Sequence, residues 1–228
     1  MPRPGSGCNC FLISIFSKEV GLNYLAHIFL SGDHPEVKLG NFFGDFVKGN
    51  QFEAFSPHIR QGILLHRRID EFTDHHPEFR QAVGILRPHF ARYSGIMADM
   101  YFDHFLASSF ADYSTLSLSR FSCNFYFHAL VRYPVLPDRI KRFIFHFTGS
   151  NRLKKYASLD GLQSSLQIMR DRKSAAIQPG LAIEMLQLHR EELESHFTRF
   201  FPELMVYAQS ELDSQHYSYQ SHRNIILH

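Results

Sequence analysis

A chain of 228 residues is enough for one large domain or two small ones, with a substantial buried core. Hydrophobic residues at 44% and charged residues at 20% exclude a disordered chain, and a formal net charge of only +2 excludes a dedicated nucleic-acid binder with a broad basic surface. Three cysteines, Cys8, Cys10 and Cys123, are odd in number and lack framework spacing, so a reduced, cytoplasmic compartment is expected; fifteen histidines raise metal chemistry.

In chain order, residues 1–22 read as an unstructured extension with no function assigned. The apolar run Phe11 to Phe16, FLISIF, is too short to span a membrane, and no small-residue cleavage site follows it. Beyond it, Pro, Gly and Ser clusters divide the chain into helix-length segments, with few runs of period-two alternation. The patterns predict helices over Asn23 to Leu30, then from Pro35 through Val47 with a stop at Gly49. A long central helix opens at Ser56-Pro57 with Ser56 as N-cap, and another runs from Pro77 through Leu86. Further helical patterns cover Ile96 to Phe110, Leu118 to Tyr133, Pro137 to Phe147, Leu159 to Lys173 and Gly180 to Phe200. Phe200-Phe201-Pro202 predicts a stop, followed by a short helix from Glu203 to Leu212 and a loose polar tail over 213–228. The expectation is one all-α domain spanning 23–212, without internal repeats.

The stretch Gly62 to Pro77, GILLHRRIDEFTDHHP, is where local rules conflict. Ile59, Ile63, His66, Asp70 and Asp74 recur at spacings of three and four, which at about 100° per residue places them on one helical face. An imidazole and two carboxylates on an apolar stripe are costly unless paired or bound to a cation, and such conflicts mark functional sites. Three other segments put metal-competent groups on faces that read as buried. They are His27 with Asn23 at i−4, Asp45 with Asn41 at i−4 and Lys48 at i+3, and Asp99 with Asp103-His104. Asp99 and Asp103 at i, i+4 repel unless a cation lies between them. Imidazole with carboxylate suits Mn²⁺, Fe or Zn, and Mg²⁺ where carboxylate and water dominate; such a cation acidifies water and clamps phosphoryl oxygens. Arg67, Arg68 and Lys48 are candidates to hold a phosphate.

Each residue also has a structural explanation. His27 alone is more often a hydrogen-bonded core residue, Asp70 and Asp74 pair readily with Arg67 or Arg68, and Asp99 suits a first helical turn. His75 and His76, at a helix end before Pro77, carry no site role. Joint occurrence on four predicted helices favours a clustered metal site.

The segments NYLAHIFL, GNFFGDFVKG, GILLHRRIDEFTDHHP and YSGIMADMYFDHFLA resemble the acyl carrier protein phosphodiesterase family, also called acyl carrier protein hydrolase. The resemblance runs from about Asn23 to Pro202 in order and is strongest before Ala107. It implies an all-helical fold distantly similar to HD-type metal phosphohydrolases. The HD doublet departs here: His66 is followed by Arg67, and the adjacent pair is reversed as Asp103-His104.

The reaction implied by the resemblance is hydrolysis of the phosphodiester joining 4'-phosphopantetheine to a serine of holo-acyl carrier protein. A divalent cation is required, Mn²⁺ foremost, with Mg²⁺ or Fe²⁺ as alternatives. In this reading His27, Asp45, His66, Asp70 and Asp103 hold the metal and its water, with interchangeable roles. Arg67 or Arg68 steadies the developing charge, and Asp74, Asp99 and His104 orient ligands or transfer protons. The partner is an acidic carrier protein, met by Arg139 to Arg142 and by Arg152, Lys154 and Lys155, with neither nucleic acid nor membrane involved. A phosphohydrolase for another phosphodiester or nucleotide, and a non-catalytic helical binding module, are the alternatives.

Overall fold

The computed structural model describes residues 24–172 and 174–226; the 1–22 extension with Cys8, Cys10 and the FLISIF run, and Asn23 and Lys173, lie outside the described residues. Among the described residues there is no strand, and the fold is a single helical domain. The chain begins with α1 (Tyr24–Phe29) and α2 (Pro35–Phe42), then two 3-10 turns at Gly44–Phe46 and Gly49–Ala54. Pro35 opens α2 as predicted, but the helix does not continue to Val47. The tighter 3-10 winding lets Gly44 pass directly against the His66 ring, where a Cβ would overlap it, and turns Asp45 toward that ring.

The central helix α3 (Pro57–His75) is the scaffold of the domain. It crosses α2 at a glycine contact: a Cβ on Gly40 would collide with the Ile59 carbonyl, and one on Gly62 with the Val37 carbonyl. Only glycine at both positions permits this approach. Ser56 occupies the N-cap position, but its hydroxyl donates to Glu36 Oε2 at 3.0 Å instead of accepting from the first turn. Ile59, Ile63, Leu65 and Ile69 are buried, each worth about 1.5–3 kcal/mol relative to exposure. The polar face anticipated on this helix grades outward: His66 is buried, Asp70 is 44% exposed and Asp74 is exposed.

Next come α4 (Pro77–Phe90), which extends past the predicted Leu86, and α5 (Ser94–Ser108), followed by the short α6 (Phe110–Tyr113). Then α7 (Leu118–Arg132), α8 (Asp138–Gly149), the one-turn α9 (Arg152–Lys155) and α10 (Leu159–Arg172) close the side over α1 and α2. The predicted Gly180–Phe200 helix is two, α11 (Pro179–Leu188) and α12 (Arg190–Ile226). The stop at Pro202 is overturned, since α12 runs through it and remains helical past Asp213 to Ile226. Phe197, Phe200, Phe201, Leu204 and Ala208 are all buried, so one apolar face continues across the proline and outweighs its cost of about 3 kcal/mol. No helix of the described residues is long and apolar enough to cross a membrane.

Candidate metal centre

Two helices and one turn bring a histidine–carboxylate group together. From α1 comes His27, from the first 3-10 turn Asp45, and from consecutive turns of α3 His66 and Asp70. His27 Nε2 is 3.2 Å from Asp70, and His66 Nε2 is 3.3 Å from both Asp70 and Asp45. The two imidazoles stack with ring centroids 4.1 Å apart. Ligand atoms of His27, His66 and Asp70 all lie within 4.8 Å of one another, and Asp45 joins through His66.

The donor atoms fit a divalent cation. The Nε2 atoms of His27 and His66 are buried, and the carboxylates beside them lie off hydrogen-bond alignment, so neither nitrogen has a satisfied bond. Buried polar atoms are normally paired, and this exception has the composition expected for Mn²⁺, Fe or Zn. Asn41 supports His27 from behind. Its amide donates to the His27 carbonyl and to Ser31 Oγ, both at 2.9 Å, which leaves Asn41 Oδ1 to accept from His27 Nδ1–H at 2.7 Å. That tautomer directs the Nε2 lone pair at Asp70, as the outer hydrogen bond of a metal-bound histidine does. In the sequence Asn41 stands only as the i−4 neighbour of Asp45, a spacing that carries no sign of its contact with His27.

Charges in the group reinforce one another. Burial opposes ionisation of Asp45, but the His66 imidazole, with His27 and Lys48, carries its carboxyl down to about 2. Burial likewise works against the charged form of His66, and Asp45 and Asp70 reverse that, raising it above its ordinary value.

The other anticipated site residues are placed as follows. Asp103 does not join the group: its two oxygens accept from the backbone N–H groups of Leu25 and Ala26, both at 2.9 Å, tying α5 to the first turn of α1. Burial raises its carboxyl to about 8 against those two donors. Asp99 shares with Asp103 the wall of a cavity of about 20 Å³, room for one water. Desolvation, then the charge of Asp70, pushes the Asp99 carboxyl well above its ordinary range. His104 lies on another side of α5, where Nδ1 meets the Tyr156 carbonyl at 2.7 Å. Arg67 is held by the Val47 and Gly49 carbonyls at 3.0 and 2.7 Å and stands over the Phe52 ring, fixing the loop that carries Asp45. Arg68 faces away, toward Glu71 and Glu211. Among the expected surface cations, Lys154 and Lys155 are exposed, but Arg152 is buried, because α9 turns its first residue inward.

Comparison with known proteins adds a second line. Residues 22–204 match the family described as acyl carrier protein phosphodiesterase. A protein of that name from Enterobacter sp. (strain 638) is 34% identical over 193 residues, covering 83% of this chain and 98% of the relative. One from Escherichia coli O6:K15:H31 (strain 536 / UPEC) is 35% identical over 191 residues, covering 82% and 97%. One from Klebsiella pneumoniae (strain 342) is 33% identical over 199 residues, covering 83% and 98%. No solved structure matches the chain.

Proposed function

The chain belongs to the acyl carrier protein phosphodiesterase family, and from that premise we propose that it hydrolyses the 4'-phosphopantetheine–serine link of holo-acyl carrier protein, releasing apo-acyl carrier protein and 4'-phosphopantetheine. The observation that carries this reading is the convergence of His27, Asp45, His66 and Asp70 with two buried, unsatisfied imidazole nitrogens at its centre. These four residues would hold a divalent cation, with Mn²⁺ foremost and Mg²⁺ or Fe²⁺ as alternatives. When bound, such a cation supplies Lewis acidity to a phosphoryl oxygen and lowers the pKa of water.

The chain's own side chains do the rest. Asn41 holds the His27 ring in one tautomer, and Arg67 fixes the turn from which Asp45 projects. Burial and then the charge of Asp70 favour the protonated form of Asp99, which makes it the group suited to returning a proton to the departing serine oxygen. Asp74 stands at the exposed end of the same α3 face, where a proton exchanges with solvent. Exposed Arg142, Lys154 and Lys155 suit the acidic surface typical of carrier proteins. Among the described residues Cys123 is free and exposed, and the odd cysteine count remains the ground for expecting a reduced, cytoplasmic setting.

Mass spectrometry of a holo-acyl carrier protein incubated with the enzyme and Mn²⁺ tests the proposal. The expected result is loss of the 4'-phosphopantetheine mass from the carrier protein. An unchanged carrier protein, alongside turnover of generic phosphodiesters, would reassign the substrate.

A further inference from the structure

Arg152 opens α9 immediately after Asn151, whose φ of 48° lies in the left-handed region. Its side chain is 8% exposed, and among the described residues it forms no ion pair and no side-chain hydrogen bond. The guanidinium stands 5.7 Å from the centroid of Phe147, whose ring also meets Tyr24 edge-on at 5.0 Å. The residue is largely buried while its guanidinium nitrogens keep contact with solvent, so the cation is open to an incoming anion and, among the described residues, no acid beside it neutralises it.

Two further donors stand nearby. Tyr24 is 3% exposed and Tyr156 fully buried, and neither hydroxyl has a hydrogen-bond partner. A buried phenol normally finds one. Burial holds both phenols far above their usual range, so each remains an O–H donor at any physiological pH. The charge of Arg152 reaches both of them, and Tyr24 also feels Asp45 of the histidine–carboxylate group. Tyr24 lies three residues before His27 on α1, so through it the donors connect to the candidate metal centre.

We propose that Arg152, Tyr24 and Tyr156 form a receiving site for a tetrahedral oxyanion, the phosphoryl group of the substrate. The guanidinium fork suits two oxygens of such a group and the phenols suit the others. Arg67 and Arg68, the cations nearest the ligands in sequence, are engaged with backbone carbonyls and with glutamates. Only the identity of the anion rests on the phosphodiesterase reading; the convergence of donors does not.

Isothermal titration of the chelator-treated full chain with inorganic phosphate tests this without turnover. Arg152→Met is expected to weaken phosphate binding at least tenfold, and Tyr24→Phe and Tyr156→Phe each about three- to tenfold. Arg120→Met, at an exposed position on α7, should stay within twofold of wild type. Arg152→Met should also melt no lower than wild type, because a lone, largely buried charge has been exchanged for an apolar chain of similar length. If that variant fails to fold, the two Tyr→Phe variants decide. Wild-type protein that binds no phosphate, or variants that all bind it within twofold of wild type, would overturn the proposal. Uncleaved holo-acyl carrier protein with intact Arg152-dependent phosphate binding would instead defeat the activity and leave the anion site standing.

Discussion

Two clusters in this protein draw on the same residue types and do opposite things with them. In the first, His27, Asp45, His66 and Asp70 meet at 3.2–3.3 Å with the central imidazole nitrogens unsatisfied. In the second, between α4 and α12, Glu78 accepts from His196 Nδ1 at 2.7 Å and from Arg199 Nε at 2.9 Å, while Arg199 Nη1 donates to Ser195 Oγ at 2.6 Å. Beside it His76 pairs with Glu203, also from α12. Completed hydrogen bonds make the second cluster a staple between helices, and incomplete ones make the first a place for a ligand. Residue type alone does not distinguish them; alignment does.

The largest expected effect would break this comparison at once. His66→Ala should lower turnover of holo-acyl carrier protein at least about 100-fold, some 2.7 kcal/mol, whereas Glu78→Gln should leave it within about twofold. A steady-state assay in which His66→Ala falls by less than about tenfold removes the first cluster from a central role. Metal should separate the clusters next. After chelation, Mn²⁺ at about 100 times its Kd should raise stability by about 2.7 kcal/mol in wild type and in Glu78→Gln, and not in His66→Ala, as read by chemical denaturation.

Glycines sharpen the contrast at smaller magnitude. Gly44→Ala drives a Cβ into the His66 ring and should cost about 1–3 kcal/mol while weakening Mn²⁺ binding. Gly84→Ala on α4 meets open space and should stabilise by about 0.5–1 kcal/mol, with metal binding unchanged. Urea titrations with and without Mn²⁺ check both.

The subtlest difference is in pH. Arg199 first, then His196, holds the Glu78 carboxyl at about 2, below its ordinary 4.5. Its contribution is therefore complete above 4.5 and lost as pH falls through about 2. His66 is shifted upward from 6.5, so in chelated protein its contribution is complete below 6.5 and lost as pH rises through its higher folded value. Urea denaturation across the pH range should show Glu78→Gln flattening the acid limb and His66→Ala the limb above neutrality. Each variant changing the other limb would dissolve the distinction.

Much of this was legible in the sequence. Prolines at 35, 57 and 77 mark helix starts that the structure keeps, and the i, i+3, i+4 recurrence from Ile59 to Asp70 puts His66 and Asp70 on one face of α3. Those are properties of a single helix, fixed by its period and by the missing N–H of proline. What lay beyond reach was which faces meet, because that depends on packing between helices at ångström scale. Close glycine contact between α2 and α3, and the 3-10 turn at Gly44, bring Asp45 to His66. Asp103, alike in chemistry and as promising in its motif, is drawn instead to the backbone of α1. Asn41 turns to His27, Arg152 turns inward, and a continuous apolar face carries α12 past Pro202. In each case long-range contacts outweighed a local preference, and a local pattern carries no record of them.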